Sequence, residues 1–388
     1  MDGGENAMYN EKYEKSYQTV MDGIACKNTK PISCFSGGAP LAQMDGMTIA
    51  EYVADPVAGM KAALRTVQRL EEDAGTLQCA NSMPGVLNMA VLITFLWYSR
   101  VLKPGVDIPE NSFWQVKEEK LIGRDAYDEI LEMGYNNFIQ QKIIPQIIEL
   151  DYMGKYLQVA AENGAWAKQL WIDAGIAITQ SGMANMIPFE QLCGMRSMQQ
   201  FYKDCYKIPE KLKEVSDFIF AETAAAKAAE YEAVKDDKTV IGYWVGGWRT
   251  ASAMLNPKIW ELLVWPYMKA SAEQLLEYGK VPVFHLDQDW NRDIERFGEL
   301  PAGKVIINTD SMTILPNARK KLPGYALMGD VPPQLFTSAT PEEVSDYVKR
   351  LIDEVGPEGL FVCPGCDCPA GAKYENVVAM VKTTNEWQ

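Results

Sequence analysis

The sequence predicts an α/β protein: a (β/α)8 (TIM) barrel with an N-terminal extension and a helical insertion over the barrel mouth. Two observations carry this prediction. In the last third of the chain, short runs that are apolar on both faces alternate with helical patterns, as parallel strands covered on both sides do. Each run also ends in polar or metal-ligating residues, and in such a barrel the active site is built at the C-terminal ends of the strands.

Taken in order, the candidate strands are Pro31–Ser36, Thr76–Asn81, Tyr156–Glu162, Val240–Gly246, Val281–Asp287, Lys304–Asp310, Gly324–Asp330 and Gly359–Cys366. That is the number a closed barrel needs. The clearest intervening helix starts at Thr340-Pro-Glu-Glu343, with Thr340 as N-cap, Pro341 in the first helical position and Glu343 closing a capping box. Val344, Tyr347, Val348, Leu351 and Val355 then form one apolar stripe. A second helix starts near Tyr374. The segment 84–150 has no strand signal; it holds Pro104-Gly-Val-Asp-Ile-Pro109 followed by helical periodicity, and reads as an insertion or lid within a single domain spanning 1–388.

Bulk composition narrows the function. The chain has 388 residues, is 47% hydrophobic and carries a formal charge of −15. With no basic stripe, an acidic surface of this kind repels nucleic-acid backbones. The start, Met1-Asp-Gly-Gly-Glu, lacks the features of a signal peptide. The longest apolar stretch, Val86–Tyr98, falls short of the ~20 residues that cross a bilayer. The eight cysteines are mostly scattered, which reads as reduced thiols in a cytoplasmic protein with no membrane partner. No Gly-x-Gly-x-x-Gly or Gly-Lys-Ser/Thr supports a nucleotide cofactor, and Ser36-Gly-Gly38 is too short for a phosphate loop.

The chemistry concentrates at two strand ends. His285 is the only histidine, two residues before Asp287; about eighty residues on come Cys363, Cys366 and Cys368. On a strand, positions i and i+2 share a face, so His285 and Asp287 can converge on one ion. Imidazole, carboxylate and thiolate are all zinc ligands. The other reading of His285 is a buried histidine bonded to a backbone carbonyl. Cys363 reads as core, Cys366 as a ligand, and Cys368 as its substitute or a fourth ligand. Asp310 and Asp330, at strand ends, are candidate catalytic residues that orient His285 or the substrate; as loop carboxylates or helix caps they would have no such role. Gly246-Gly-Trp248-Arg249 follows a strand. Its glycines suit close approach of a ligand, and Trp248 suits stacking; a tight turn with Trp248 beneath the lid is the alternative. Ser36, Tyr243, Trp248 and Arg249 are the candidate substrate-binding residues, within an aromatic supply that includes Trp166, Trp244 and Phe113.

The series His285-x-Asp287, Asp310, Met328-Gly-Asp-Val-Pro332, Thr340-Pro-Glu-Glu-Val344, Pro364-Gly-Cys366 and Glu375-Asn-Val-Val-Ala-Met380 resembles the uroporphyrinogen decarboxylase superfamily. Within it, the match is closer to the zinc-dependent, corrinoid-linked methyltransferases (methyltransferase I or O-demethylase type) than to the decarboxylases. It is strong over about 240–384, weaker over 100–150 and thin before residue 80. The resemblance implies a (β/α)8 barrel, with zinc held by a His-x-Cys pair on one strand and a later Cys. His285 and Cys366 match; Asp287 stands where the family has Cys. It further implies a corrinoid (cobalamin) supplied by a partner protein, and a methyl group moved between a small methylated substrate, such as a methoxylated aromatic, and cobalt. Zinc would act as Lewis acid on the methyl-bearing heteroatom while Co(I) attacks the carbon. The decarboxylase branch relies on an N-terminal Arg pair, and here that region reads Ser36-Gly-Gly-Ala-Pro-Leu-Ala-Gln-Met. Two rival readings stand beside this one: a metal-free lyase of decarboxylase type working through Asp287 or Asp310, and a non-catalytic barrel that binds a small ligand or corrinoid protein.

Overall fold

The computed structural model describes residues 9–388; the Met1-Asp-Gly-Gly-Glu start lies outside them. Ten strands occur in chain order: β1 (Ile32–Ser36), β2 (Cys79–Ser82), β3 (Arg100–Leu102), β4 (Gln115–Lys117), β5 (Gly182–Met183), β6 (Gly242–Gly247), β7 (Val281–Leu286), β8 (Ile306–Thr309), β9 (Ala326–Val331) and β10 (Leu360–Pro364). Eight of them form one parallel sheet in the order β2-β1-β10-β9-β8-β7-β6-β5. The two ends of this sheet meet through backbone pairing of β2 with residues 177–180. Ala80 N–H donates to Ala177 O at 3.0 Å, Thr179 N–H to Ala80 O at 2.9 Å and Gln180 N–H to Asn81 O at 2.9 Å. The architecture is therefore the predicted (β/α)8 barrel with surrounding helices.

The candidate third strand is corrected. Tyr156–Glu162 lies inside the helix Leu150–Asp173, of which only Tyr156, Ala167, Trp171 and Ile172 are buried. The strand in that place is the run through 177–183, rich in Thr, Gln, Ser and Gly. It lacks the signature of a two-face-buried strand because its end lines an open cavity. Segment 84–150 also departs from expectation, since β3 and β4 pair there as an antiparallel hairpin. Elsewhere in it, Asn88 caps the helix Met89–Trp97 by accepting from Ala90 and Val91 N–H.

The barrel floor is a closed apolar cluster built from inward-facing positions such as Cys34, Cys79, Val283, Ile306, Met328 and Cys363. The helix Glu11–Ile24 caps it from below with Tyr13, Val20 and Ile24. Its Ser16 hydroxyl ties β2 to the strand at 177, donating to Gln78 O at 2.5 Å and accepting from Ala177 N–H at 2.9 Å. The helix Pro341–Val355 has the expected capping box at Thr340 and Glu343, and buries Val344, Val348, Leu351, Ile352 and Val355. All eight cysteines are free. Among the described residues no helix is long and apolar enough to cross a membrane.

Asp330, a candidate catalytic residue, turns away from the barrel mouth. Its carboxylate accepts from the Tyr347 hydroxyl at 2.8 Å, on the helix Pro341–Val355, and is 5% exposed. Burial pushes its pKa up to about 6, with the Tyr347 bond opposing. The folded value lies above the unfolded value of about 3.9, so the folded state holds the extra proton between about pH 4 and pH 6. Stability therefore falls as pH rises through that window, and above it the ionised group costs up to about 3 kcal/mol. Asp330→Asn is expected to raise the melting temperature at pH 8 and leave it unchanged at pH 4; thermal melts at the two pH values check this.

Candidate metal centre

Along β7, Val281 and Val283 fill the floor, and the same alternation brings His285 and then Asp287 to the mouth. Cys366 comes from the turn after β10. Gly365 lets that turn pass against β8's loop: a Cβ there would stand 3.0 Å from Asp310 Cα. The three side chains converge. His285 Nε2 lies 3.4 Å from Asp287 Oδ1 and 3.7 Å from Cys366 Sγ, and all three candidate donor atoms fall within 4.8 Å of one another.

A second group of residues fixes the imidazole. Asn308, which pairs with His285 in the β7–β8 register, has its Oδ1 2.5 Å from His285 Nδ1. Asn308 Nδ2 donates to Met328 O at 3.2 Å, which leaves Oδ1 as the atom facing the ring. Nδ1 therefore carries a proton, and Nε2 is the nitrogen turned toward Asp287 and Cys366. Behind Asn308 the relay continues, from Asn81 Nδ2 to Asn308 Oδ1 at 3.3 Å and from Thr179 Oγ1 to Asn81 Oδ1 at 2.9 Å.

The two distances from the imidazole nitrogen fit a metal ion. Zinc bonds of about 2.0–2.3 Å at tetrahedral angles need donors about 3.3–3.7 Å apart. The electrostatics agree. Burial opposes charging of His285, but Asp287 and then Cys366 lift its pKa well above the ordinary value. Burial pushes up the Cys366 thiol, with Asp287 adding to the rise and His285 opposing it. Two acids and one imidazole thus gather around a place where positive charge is favourable, which suits a divalent ion as well as protons.

The cluster opens into a cavity of about 840 Å³. Polar residues on its wall include Ser36, Asn81, Ser82, Gln180, Gln288, Asp310 and Asp367. Its aromatic wall is Tyr52, Trp97, Phe113, Trp114, Trp244 and Trp248. Met83–Trp97 and Phe113–Val116 contribute much of the apolar lining.

The sequence-derived candidates divide accordingly. His285, Asp287 and Cys366 come together, and Ser36, Trp248 and Asp310 line the same cavity. Asp310, however, is spent on the backbone: its oxygens accept from Gln288 N–H at 2.8 Å and Met312 N–H at 2.9 Å, and the orienting contact to His285 comes from Asn308 instead. Tyr243 lies on the opposite face of β6, against Tyr231 at 4.9 Å, and Trp166 stands over Lys61; neither lines the cavity. Arg249 is fully buried behind Trp248, its guanidinium 4.3 Å from that ring, and does not line the cavity. Gly246 makes room for Trp244 rather than for a ligand, since a Cβ there would fall inside the indole. Cys368 and Cys363 are buried in apolar clusters, outside the donor set.

Asp367 sits between Cys366 and Cys368 and has no motif of its own in the sequence. It lines the cavity and accepts from Ser36 Oγ at 3.1 Å. Burial raises its pKa, with His285 and Ser36 opposing. Asn308, on β8, lies two residues before Asp310, and the register with β7 assigns it to the imidazole.

The family model for uroporphyrinogen decarboxylase (URO-D) matches residues 184–387, more than half of the chain. The chain belongs to the uroporphyrinogen decarboxylase family. Among solved structures it is similar to a methyltransferase from Methanosarcina mazei, at 13% identity and a TM-score of 0.64, over 96% of this chain and 98% of that one. No curated protein matches the sequence.

Proposed function

We propose that this protein is a zinc-dependent methyltransferase that moves a methyl group between a small methylated substrate and the cobalt of a separate corrinoid protein. The observation that carries the reading is the convergence of His285, Asp287 and Cys366, at zinc-ligand spacing, on one side of a large cavity. The likeness in fold to a methyltransferase supports it.

In this reading His285 Nε2, an Asp287 oxygen and Cys366 Sγ hold the ion, and the Asn308 amide keeps the imidazole in the required tautomer. Bound zinc supplies Lewis acidity toward the heteroatom that carries the methyl group, making it a better leaving group. Trp244, Trp248 and the apolar wall exclude water and hold the substrate against the centre. No side chain of the cavity has to act as a nucleophile; the attacking cobalt comes with the partner, which docks over the mouth. The whole of 1–388 acts as one domain, with 84–150 as its lid.

The decarboxylase alternative lacks support in the cavity wall. Among the described residues no Lys or Arg lines it, so nothing there pairs with a tetrapyrrole bearing many carboxylates. The test is incubation of the protein with reduced cobalamin and a panel of methylated compounds, reading the cobalt absorption. A response that depends on the protein and disappears in Cys366→Ala is expected. A lyase activity that survives chelation, with no cobalt response to any compound, overturns the proposal.

A further inference from the structure

We infer that the methylated substrate carries an ammonium charge and no carboxylate, an inference that rests on reading the cavity as the substrate site of the proposed methyl transfer. The charge inventory of the wall is one-sided. Asp287, Asp310 and Asp367 line it, and among the described residues no Lys or Arg does. With a divalent ion bound, the Asp287 and Cys366 anions are neutralised, which leaves Asp310 and Asp367 facing the substrate space.

The hydrogen bonding of these two differs. Asp310 gives both oxygens to backbone N–H groups. Asp367 accepts from Ser36 Oγ through Oδ1, and its second oxygen has no hydrogen-bond partner among the described residues. A carboxylate with free acceptor capacity inside a largely apolar cavity is a site for a cationic donor.

The aromatic wall favours the same charge. Indole and phenol rings attract cations through their faces, and tryptophan does so most strongly. Trp97, Trp114, Trp244 and Trp248, four of the ten tryptophans of the chain, line this cavity together with Tyr52 and Phe113. Trp244 stands 6.4 Å from the His285 ring, so a cation on it is within one small molecule's length of the metal ligands. Arg249 behind Trp248 does not reverse the sign, because it is offset by Glu190 and by Glu118, whose oxygen is 3.7 Å from its guanidinium. At about 840 Å³ the cavity is roomy for a ring bearing both a methyl-carrying heteroatom and an ammonium arm. The formal charge of −15 adds a long-range field that draws cations toward the chain.

A matched set of probes separates charge from shape: 4-methoxybenzylamine, 4-methoxybenzyl alcohol and 4-methoxybenzoate, titrated into the zinc-loaded protein by calorimetry. The amine is expected to bind at least about tenfold more tightly than the alcohol, and the benzoate more weakly than the alcohol. In Asp367→Asn, which keeps the acceptor for Ser36, the amine's advantage over the alcohol should shrink while the alcohol is unchanged. Benzoate binding as well as the amine, or an amine that does not bind, overturns the inference and leaves the methyl-transfer reading intact. An amine preference in a protein that gives no cobalt response with any compound overturns methyl transfer alone.

Discussion

Protein purified without chelators will carry about one zinc ion per chain, and His285→Ala and Cys366→Ala will carry almost none. Each variant removes one of three donors from a centre whose donors are already at ligand spacing, 3.4 and 3.7 Å from the imidazole nitrogen. Asn308→Ala keeps all three donors but frees the ring to turn, and should lower affinity by about 10–100-fold. Asp287→Cys restores a softer donor and should tighten zinc binding, because thiolate suits a borderline-soft ion better than carboxylate. Affinity should also fall as pH is lowered. Protons compete for His285, whose metal-free pKa its acidic neighbours hold well above the ordinary value, and for Cys366, whose pKa burial raises. Metal analysis and competition with a chromophoric chelator measure both effects. Equal zinc in His285→Ala and the parent would remove the basis for the centre.

The second large effect concerns stability. Arg249 and Glu190 are both 0% exposed, and Glu190 is the anchor of the loop after β6. Its Oε1 accepts from Trp248 N–H at 2.7 Å, Thr250 N–H at 3.1 Å and Thr250 Oγ1 at 2.8 Å. The Arg249 nitrogens find no acceptor and Glu190 Oε2 finds no donor, so what joins the pair is charge rather than hydrogen bonding. Removing Arg249 strands Glu190 away from water, and removing Glu190 leaves the buried Arg249 with Glu118 alone, 3.7 Å away. Arg249→Met and Glu190→Gln are each expected to cost about 3–5 kcal/mol, whereas the double variant, with no buried charge left over, should be more stable than either single one. Melting temperatures or denaturant titration of the four proteins close the cycle. Additive losses would mean that the two groups do not compensate each other.

How much of this was legible in the sequence depended on whether a signal was local. Seven of the eight barrel strands announced themselves, because burial on both faces forces a continuous apolar run. The run at 177–183 did not, since its polar end belongs to the cavity, and the more apolar Tyr156–Glu162 drew the assignment although it is helical. His285, Asp287 and Cys366 were found because few residue types bind metal and these sit at strand ends. Side-chain direction was harder. Tyr243 and Trp244 are neighbours, and strict alternation puts only one of them inside; the structure chooses Trp244, with Gly246 cleared to receive its ring. In the sequence Asp310 and Asp330 look like equivalent polar strand ends, and Asn308 is one more polar residue beside the first. Which one touches the imidazole depends on inter-strand register and on partners such as Tyr347, and neither is written in any single segment.

The seam between β2 and residues 177–180 closes the ring away from the strands that bear the donor atoms. His285 and Cys366 are borne by β7 and β10, which are joined through β8 and β9 by an unbroken ladder on the far side of the ring. The wall formed by β2 and β5 is closed by the three N–H···O bonds between β2 and residues 177–180. The donor set therefore rides on the arc of the ring opposite the seam, and closing the barrel asks nothing of the strands that bear it.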